Sequence, residues 1–495
     1  MSATLGEVAA ALRRSERHGA DVAVTDAAHD SRQVGPGTLF CAIPGARADG
    51  HDHAPTAVAQ GAAALLVERW LDLPVPQLKV PSVRAAVGPA AAAVHGHPSD
   101  ELTVVGITGT NGKTTTAYLV EAAFAAAGIG VGVIGTVETR IHGETQPGVR
   151  TTPEGTDLQR LLRRMHTRGV DAVAMEVSSH GLDLRRVDGT RFAVAVYTNL
   201  SQDHLDWHGS MEAYLAAKAR LFLPTFAPRG VVFLDGPWAR RLLDLVRIPV
   251  TTVGTDADAD VRLVDVELSV DGGRGTLVWD DDRIALRTRL PGRFNLENAA
   301  SAFVAAVTAE VPAPTAAAGI AACPGAPGRL ERVERGQPFT VLVDYAHTPQ
   351  AVAQVVTTLR SLGSGGRVLV VLGAGGDRDR GKRGAMGAAA ASADVAVLTS
   401  DNPRSEDPER ILAAVAAGAR EAVAAGAPAG LVVELDRQRA IAAALDAARA
   451  GDVVVIAGKG HETGQELADR TLPFDDRMVA AALLEEAGWS VGGAA

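Results

Sequence analysis

At 495 residues the chain has room for about three or four domains, each large enough for its own core. Apolar residues make up 47% and aromatics only 4%, so those cores are built mainly from Ala, Val and Leu. A formal net charge of −10 without any lysine-rich block argues against nucleic acid or an anionic membrane surface as the main partner.

Residues 1–100 read as a small α/β domain, alternating short strands and helices and ending at His-Gly-His-Pro-Ser-Asp. The first twenty residues mix charges throughout and lack the apolar centre of a signal peptide. No run reaches the ~18–20 apolar residues of a membrane span; the longest candidate, 85–94, is alanine-rich. Cys41 and Cys323 lie far apart and outside any C-x-x-C pair, so no disulfide framework is expected. The cytoplasm is the expected compartment.

Residues 101–328 open on the stretch from Thr103 to Gly128. The apolar residues Val104, Val105 and Ile107 predict a buried strand. It feeds a loop, Gly109-Thr110-Asn111-Gly112, then Lys113, Thr114 and Thr115, then an alanine-rich helix. Glycines let backbone N–H groups turn toward an anion, the helix N-terminus adds its positive dipole end, and the lysine adds a point charge. A threonine after that lysine can put its hydroxyl on Mg²⁺. The strict G-x-x-x-x-G-K-[ST] pattern is broken, because Ile107 stands where its first glycine belongs. A plain glycine-rich turn is the alternative, and Gly-Lys-Thr-Thr in a strand–loop–helix context outweighs it. A nucleoside triphosphate is the expected ligand.

Further strands are predicted at 171–177 and 192–198, separated by helical patterns, which is the alternation of a parallel sheet. Segment 258–290 reads as antiparallel strands forming an accessory sheet. After the Pro- and Gly-rich boundary at 323–329 the rhythm restarts, so 329–495 is expected to be a second doubly wound, Rossmann-like unit. Only the last residues, 491–495, are expected to form a tail.

Ligands of open parallel sheets sit beyond the carboxyl ends of strands. After 171–177 come Glu176, Ser178 and His180, and after 192–198 the run Asn199 to Asp206 with His204. Glu176, His204 and the Thr114 hydroxyl therefore make a candidate Mg²⁺ site, since that ion takes one or two protein ligands plus phosphates and water.

Six ordered motifs, from Gly-x-Thr-Gly-Thr-Asn-Gly-Lys-Thr-Thr through Met-Glu-Val-Ser-Ser-His, Asn-Leu-x-x-Asp-His-Leu-Asp, Phe-Asn-x-x-Asn-Ala at 294–299 and Pro-Gly-Arg at 327–329 to Asp-Tyr-Ala-His-Thr-Pro at 344–349, resemble the Mur ligases over almost the whole chain. The likeness is greatest to members of the MurE type, which add the third residue to UDP-N-acetylmuramoyl-L-alanyl-D-glutamate. It implies three α/β domains, with ATP between the second and third, and acyl-phosphate chemistry. Lys113 would neutralise phosphate charge, and Thr114, Glu176 and His204 would organise Mg²⁺. Asn298 would contact the adenine region, Arg329 the phosphates and Asp344 the ribose. Lys218, alone an ordinary helix lysine, matches the family lysine that CO₂ carbamylates into a metal ligand. Ser31, in Asp30-Ser31-Arg32, and the Gly45–Gly50 turn would hold the UDP-sugar, while Thr151, Thr152, Ser178 and Arg186 would hold the muramoyl dipeptide. Leu184 departs from a frequent family glutamine. A monomer is expected.

Asp401-Asn402-Pro403-Arg404 reads locally as an Asx-Pro turn, yet it follows a predicted strand and so sits on a ligand rim. Arg404 offers a planar fork for a carboxylate. Arg378, after another predicted strand end, would add a second cation, and Glu462, in the segment Gly458-Lys-Gly-His-Glu462, would pair with a distal ammonium, with Gly458 a further candidate substrate residue. The resemblance agrees, since diaminopimelate-adding members carry this Asp-Asn-Pro-Arg and lysine-adding members lack the arginine. L-lysine in place of meso-diaminopimelate would leave the guanidinium unpaired. The competing readings are a lysine-adding or folylpolyglutamate-type synthetase, and a non-catalytic nucleotide-binding regulator.

Overall fold

The computed structural model describes residues 2–45, 48–148, 150–234, 236–362 and 365–490. The expected tail at 491–495 and the centre of the Gly45–Gly50 turn lie outside the described residues. Contacts divide the chain into two units. The first comprises Met1–Val264, Thr276–Leu286 and Glu297–Ala322, and the second Asp265–Gly275, Arg287–Leu296 and Cys323–Ala495. The architecture is mixed α/β.

In the first unit a five-stranded sheet runs in the order Glu16–His18, Gln77–Lys79, Ala64–Val67, Thr38–Cys41, Asp26–Ala28. All its pairs are parallel except the first. Thr38–Cys41 and Ala64–Val67 are buried along their whole length, as strands covered on both faces must be. Cys41 is fully buried here and Cys323 is 4% exposed. Desolvation, assisted by the Asp26 charge, pushes the Cys41 thiol up to about 12. Neither thiol should react with a thiol reagent in the native protein, and both should react in denaturant; stoichiometric native labelling would contradict this packing.

The large sheet places Thr103–Thr108 between Ala172–Glu176 and Val194–Tyr197, all parallel. Val131–Ile134 lies beyond Ala172–Glu176, while Gly230–Phe233 and Val250–Gly254 extend the other side. Strand order therefore reverses at Thr103–Thr108, the position where open sheets bind ligands. Register aligns Glu176 with Ile107 and Tyr197 with Thr108, so three carboxyl ends finish together. The segment expected to form an accessory sheet belongs instead to this sheet. Val261–Arg262 pairs in parallel with Val253–Gly254, and Val261–Ser269, Gly272–Trp279 and Asp282–Thr288 complete eleven strands. The alternation of buried and less buried residues along Val261–Ser269 marks a strand covered mainly on one face, which local pattern cannot distinguish from a separate sheet.

The second unit carries a six-stranded sheet ordered Glu331–Arg332, Thr340–Asp344, Val453–Ala457, Val368–Ala374, Val395–Ser400, Gly430–Val433. It is parallel except at its first strand. Asp344 is level with Ala457, and Ala374 with Ser400, so the residues that follow share one rim. Among the described residues no helix is long and apolar enough to cross a membrane.

Candidate active site

The loop after Thr108 turns on two glycines at positive φ, Gly109 at 157° and Gly112 at 84°. A Cβ at Gly109 would stand 1.9 Å from Thr198 Oγ1, and one at Gly112 2.3 Å from Asn298 Oδ1. Buried Asn298 thus packs directly on the loop. Asn111 N–H donates to Asn199 Oδ1 at 2.9 Å, and its carbonyl accepts from Thr198 Oγ1 at 2.6 Å. The Thr110 hydroxyl accepts from Ser201 N–H at 3.0 Å. Helix Lys113–Ala126 begins with no side-chain cap, leaving its first N–H groups for an anion. Lys113 Nζ donates to the Gly109 and Thr110 carbonyls at 2.9 and 2.8 Å, and Thr115 is buried behind it.

Glu176 is 1% exposed, and its hydrogen-bond donors are neutral. The Thr114 hydroxyl donates to Oε1 at 2.9 Å, Thr136 N–H to Oε1 at 2.9 Å, and the Thr136 hydroxyl to Oε2 at 3.0 Å. Among the described residues no cationic side chain forms an ion pair with this carboxylate. A buried charge so placed calls for a cation, and a hydroxyl beside a carboxylate is an oxygen donor set suited to Mg²⁺. No three His, Cys, Asp or Glu among the described residues form a protein-only metal cage, so this set fits an ion that also takes phosphate oxygens.

Lys218 lies in the last turn of helix Met211–Ala219 and is 1% exposed. Its Nζ donates to Gly109 O at 2.8 Å and lies 4.5 Å from the centre of the Tyr214 ring. Desolvation and the nearby Lys113 charge depress its pKa well below the ordinary lysine value, with Asp203 opposing weakly. Tyr214, one helical turn earlier, lies within 3.2 Å of Thr110 Oγ1. Its ring stacks on His208 at 5.0 Å and meets His204 edge-on at 6.1 Å. His180 touches His204, Trp207 and His208 at 4.8, 5.0 and 5.6 Å. The two predicted rim segments therefore converge. Burial first, then the neighbouring histidines, holds His180 below its usual pKa.

The expected dipeptide residues also meet. Thr152 Oγ1 lies 3.0 Å from Ser178 Oγ and accepts from Ser178 N–H at 2.9 Å, while Thr151 Oγ1 lies 3.0 Å from Thr136 Oγ1. Arg186 pairs with Glu154 at 2.8 Å, as do Arg84 at 2.7 Å and Arg150 at 2.8 Å. Burial opposes charge on Glu154, but the Arg186 and Arg84 guanidinium groups hold its carboxyl below the usual range. Three cations share one anion, a surplus suited to an acidic ligand. Leu184 only caps the short helix Ser179–Asp183. Ser31 opens a single turn capped by Asp30, whose carboxylate is held by exposed Arg32 at 2.6 Å.

In the second unit, Asp344 is buried and accepts Leu330 N–H at 2.9 Å and Ala346 N–H at 2.8 Å. Burial raises its pKa despite Arg329 and these donors. The Arg329 guanidinium stacks 4.7 Å over Tyr345, and its buried Nε has no hydrogen-bond partner among the described residues, which fits an incoming phosphate. Asp401 and Asn402 are buried, and Pro403 precedes Arg404, which adopts φ 52°. Arg404, expected from the sequence to receive the acceptor's carboxylate, already has partners within the chain: Nε meets Glu466 Oε2 at 2.5 Å and Nη1 donates to Gly376 O at 2.9 Å. Glu462 is likewise engaged, accepting from Asn402 Nδ2 at 2.7 Å and pairing with buried Lys459 at 3.3 Å. Exposed Arg378 reaches the same place, since a Cβ on Gly375 would lie 3.7 Å from its Cγ and 3.1 Å from Arg404 Nη1. Gly458 N–H donates to Asp344 O at 3.1 Å.

Sequence reasoning missed Thr136, Tyr214, Glu154, Lys459 and Glu466. Three carried a readable signal: Thr136 follows a strand end, Tyr214 lies four residues before Lys218 on one helix face, and Lys459 adjoins Gly458. Glu466 carried none, because long-range pairing selects it, and for Glu154 only the i,i+4 spacing to Arg150 was local, its pairs with Arg84 and Arg186 being long-range.

Three family profiles match the chain: Mur ligase family, catalytic domain, at 23–95; Mur ligase middle domain at 107–306; and Mur ligase, glutamate ligase domain, at 328–460. A UDP-N-acetylmuramoyl-L-alanyl-D-glutamate--2,6-diaminopimelate ligase of Streptomyces avermitilis is 48% identical over 94% of this chain and 93% of its own. The protein of that name from Streptomyces coelicolor is 49% identical over 92% and 91%. A solved structure of that ligase superposes with TM-score 0.74 at 32% identity, covering 99% of this chain and 100% of its own. A folylpolyglutamate synthase of Mycobacterium tuberculosis shares the fold, with TM-score 0.61 at 21% identity over 76% and 92%.

Proposed function

The chain belongs to the Mur ligase family, and from that premise we propose that it adds meso-2,6-diaminopimelate to the D-glutamate γ-carboxylate of UDP-N-acetylmuramoyl-L-alanyl-D-glutamate in the cytoplasm. It is an ATP-dependent ligase of peptidoglycan synthesis. The γ-phosphoryl group passes to the carboxylate and ADP departs. The acceptor amine then attacks the acyl phosphate, phosphate leaves from the tetrahedral intermediate, and the amine loses its proton.

Two anions must be brought together, so cationic stabilisation dominates. Lys113 and the uncapped amides of helix Lys113–Ala126 receive the phosphates, with Gly109 to Thr115 shaping the cradle. Arg186, with Arg84 and Arg150, holds the dipeptide's acidic end near Thr151, Thr152 and Ser178. Ser31 serves the UDP-sugar, and Asn298, Arg329 and Asp344 serve the nucleotide. Mg²⁺, when bound, neutralises phosphate charge; Thr114, Glu176, His204 and carbamylated Lys218 would hold it. The depressed pKa of Lys218 favours the neutral amine that attacks CO₂. As a carbamate its oxygens would accept, so the present bond to Gly109 O would be given up.

The acceptor assignment is carried by one observation: the Arg404 guanidinium on the strand-end rim already grips a carboxylate, that of Glu466. Diaminopimelate brings such a group at its far end and L-lysine does not. Purified protein with ATP, Mg²⁺ and the UDP-dipeptide should form the diaminopimelate product in strong preference to the lysine product, read by mass spectrometry. Arg404→Ala should raise the diaminopimelate KM about ten- to hundredfold, the scale of a lost charge-assisted pair. Equal efficiency with L-lysine would overturn the acceptor, and ATP turnover indifferent to any amine would favour a regulator.

A further inference from the structure

The second unit holds an internal carboxylate where the proposed acceptor would place its own. A guanidinium grips a carboxylate with two parallel bonds along one of two edges, Nε–Nη2 or Nη1–Nη2. Both edges of Arg404 are engaged. Nη1 donates to Gly376 O, and Gly376 is itself fixed by its N–H bond to Asn402 O at 2.9 Å. The Nε side belongs to Glu466, at 2.5 Å. A backbone carbonyl in an anchored loop cannot swing aside, whereas the Glu466 side chain is 49% exposed and can turn into water at little cost. The Nε–Nη2 edge is thus the one that can be freed, and Glu466 is the group that must leave.

Its position is built rather than incidental. Glu466 N–H donates to Asn402 Oδ1 at 3.0 Å, and Arg404 N–H donates back to Glu466 O at 3.0 Å. Gln465 Nε2 donates to Asp401 O at 2.7 Å, and Arg404 forms a bridge with Leu467. A short antiparallel pair, Gly464–Glu466 with Thr471–Pro473, stiffens the segment. The carboxylate is therefore tethered beside the fork at high effective concentration.

We infer that Glu466 is a specificity-determining residue, an intramolecular competitor that occupies the Arg404 fork until the acceptor's distal carboxylate displaces it; this rests on the acceptor reading above. Two consequences follow from the exchange of one ion pair for another. Affinity for diaminopimelate is lowered, because Glu466 must be expelled. Discrimination against L-lysine is lowered as well, because a lysine complex leaves the Arg404–Glu466 pair intact instead of orphaning a guanidinium.

Glu466→Gln tests this without removing a buried group. The variant should lower the diaminopimelate KM about three- to fivefold, the scale of a partly exposed ion pair. The KM values for ATP and UDP-dipeptide and the melting temperature should not move. The ratio of kcat/KM for diaminopimelate over L-lysine should rise. If the Glu466→Gln KM for diaminopimelate is unchanged or higher while Arg404→Ala raises it, the competitor role is overturned and the acceptor reading stands. If Arg404→Ala leaves that KM unchanged too, the acceptor reading itself has failed.

Discussion

Lys218→Ala is expected to lose about 10²–10³ in kcat, the cost of removing one preorganised electrostatic group from a site of developing charge. The side chain is 1% exposed, with its amine 2.8 Å from Gly109 O and 4.5 Å from the centre of the Tyr214 ring. As an ammonium it would add a second cation beside Lys113 in a desolvated place, which is why its pKa falls. A neutral amine in that environment is a nucleophile for CO₂, and the carbamate would turn a buried liability into an anion facing the phosphate loop. Alanine leaves room for a small carboxylate, so millimolar formate or acetate should restore part of the lost rate. A variant as active as wild type would remove the carbamate from the mechanism. Loss without rescue by any short acid would leave Lys218 as a packing residue beneath the loop.

The second large effect concerns stability. Arg437 and Asp476 are both fully buried and form a bidentate pair, Nη2 to Oδ2 at 2.6 Å and Nε to Oδ1 at 2.8 Å. Arg437 also donates to Ser400 O at 3.2 Å and Ala457 O at 3.0 Å, the carbonyls just before Asp401 and Gly458. Asp476→Ala should destabilise the second unit by about 3–5 kcal/mol, because it leaves a guanidinium charge buried without its partner. Replacing both residues by apolar ones of similar volume should cost less than either single change, the signature of a coupled pair. The measurement is the shift of the unfolding transition in urea for both singles and the double. Additive losses would mean that the pair is not coupled. Any double variant that folds should bind the acceptor more weakly than ATP, since the carbonyls that Arg437 ties down carry the acceptor motif.

Much of the fold was legible because the phosphate loop, Glu176, the Asn199–Asp206 run and Asp401 each adjoin the end of an apolar run. Val104 to Ile107, then glycines, then Lys113 allows only a strand, a tight turn and a helix, and parallel strands present their carboxyl ends on one rim. Glu176, His204 and Asp401 could be assigned to rims on that rule alone, whereas Asp344 came from the family resemblance. The same rule covers Thr136, which went unread. What local sequence could not determine was which strands are neighbours and which side chains meet across them. Periodicity reports one element's own faces, whereas sheet order depends on closing loops between distant segments. The three strands at 261–288 therefore looked like a separate sheet, though their pairing extends the main one. Tertiary structure alone brought His180 against His204 and His208, which pack on Tyr214, and put Arg84 and Arg186 on Glu154. It also set Glu466 on Arg404, because partners more than 60 residues apart leave no mark on each other's local pattern.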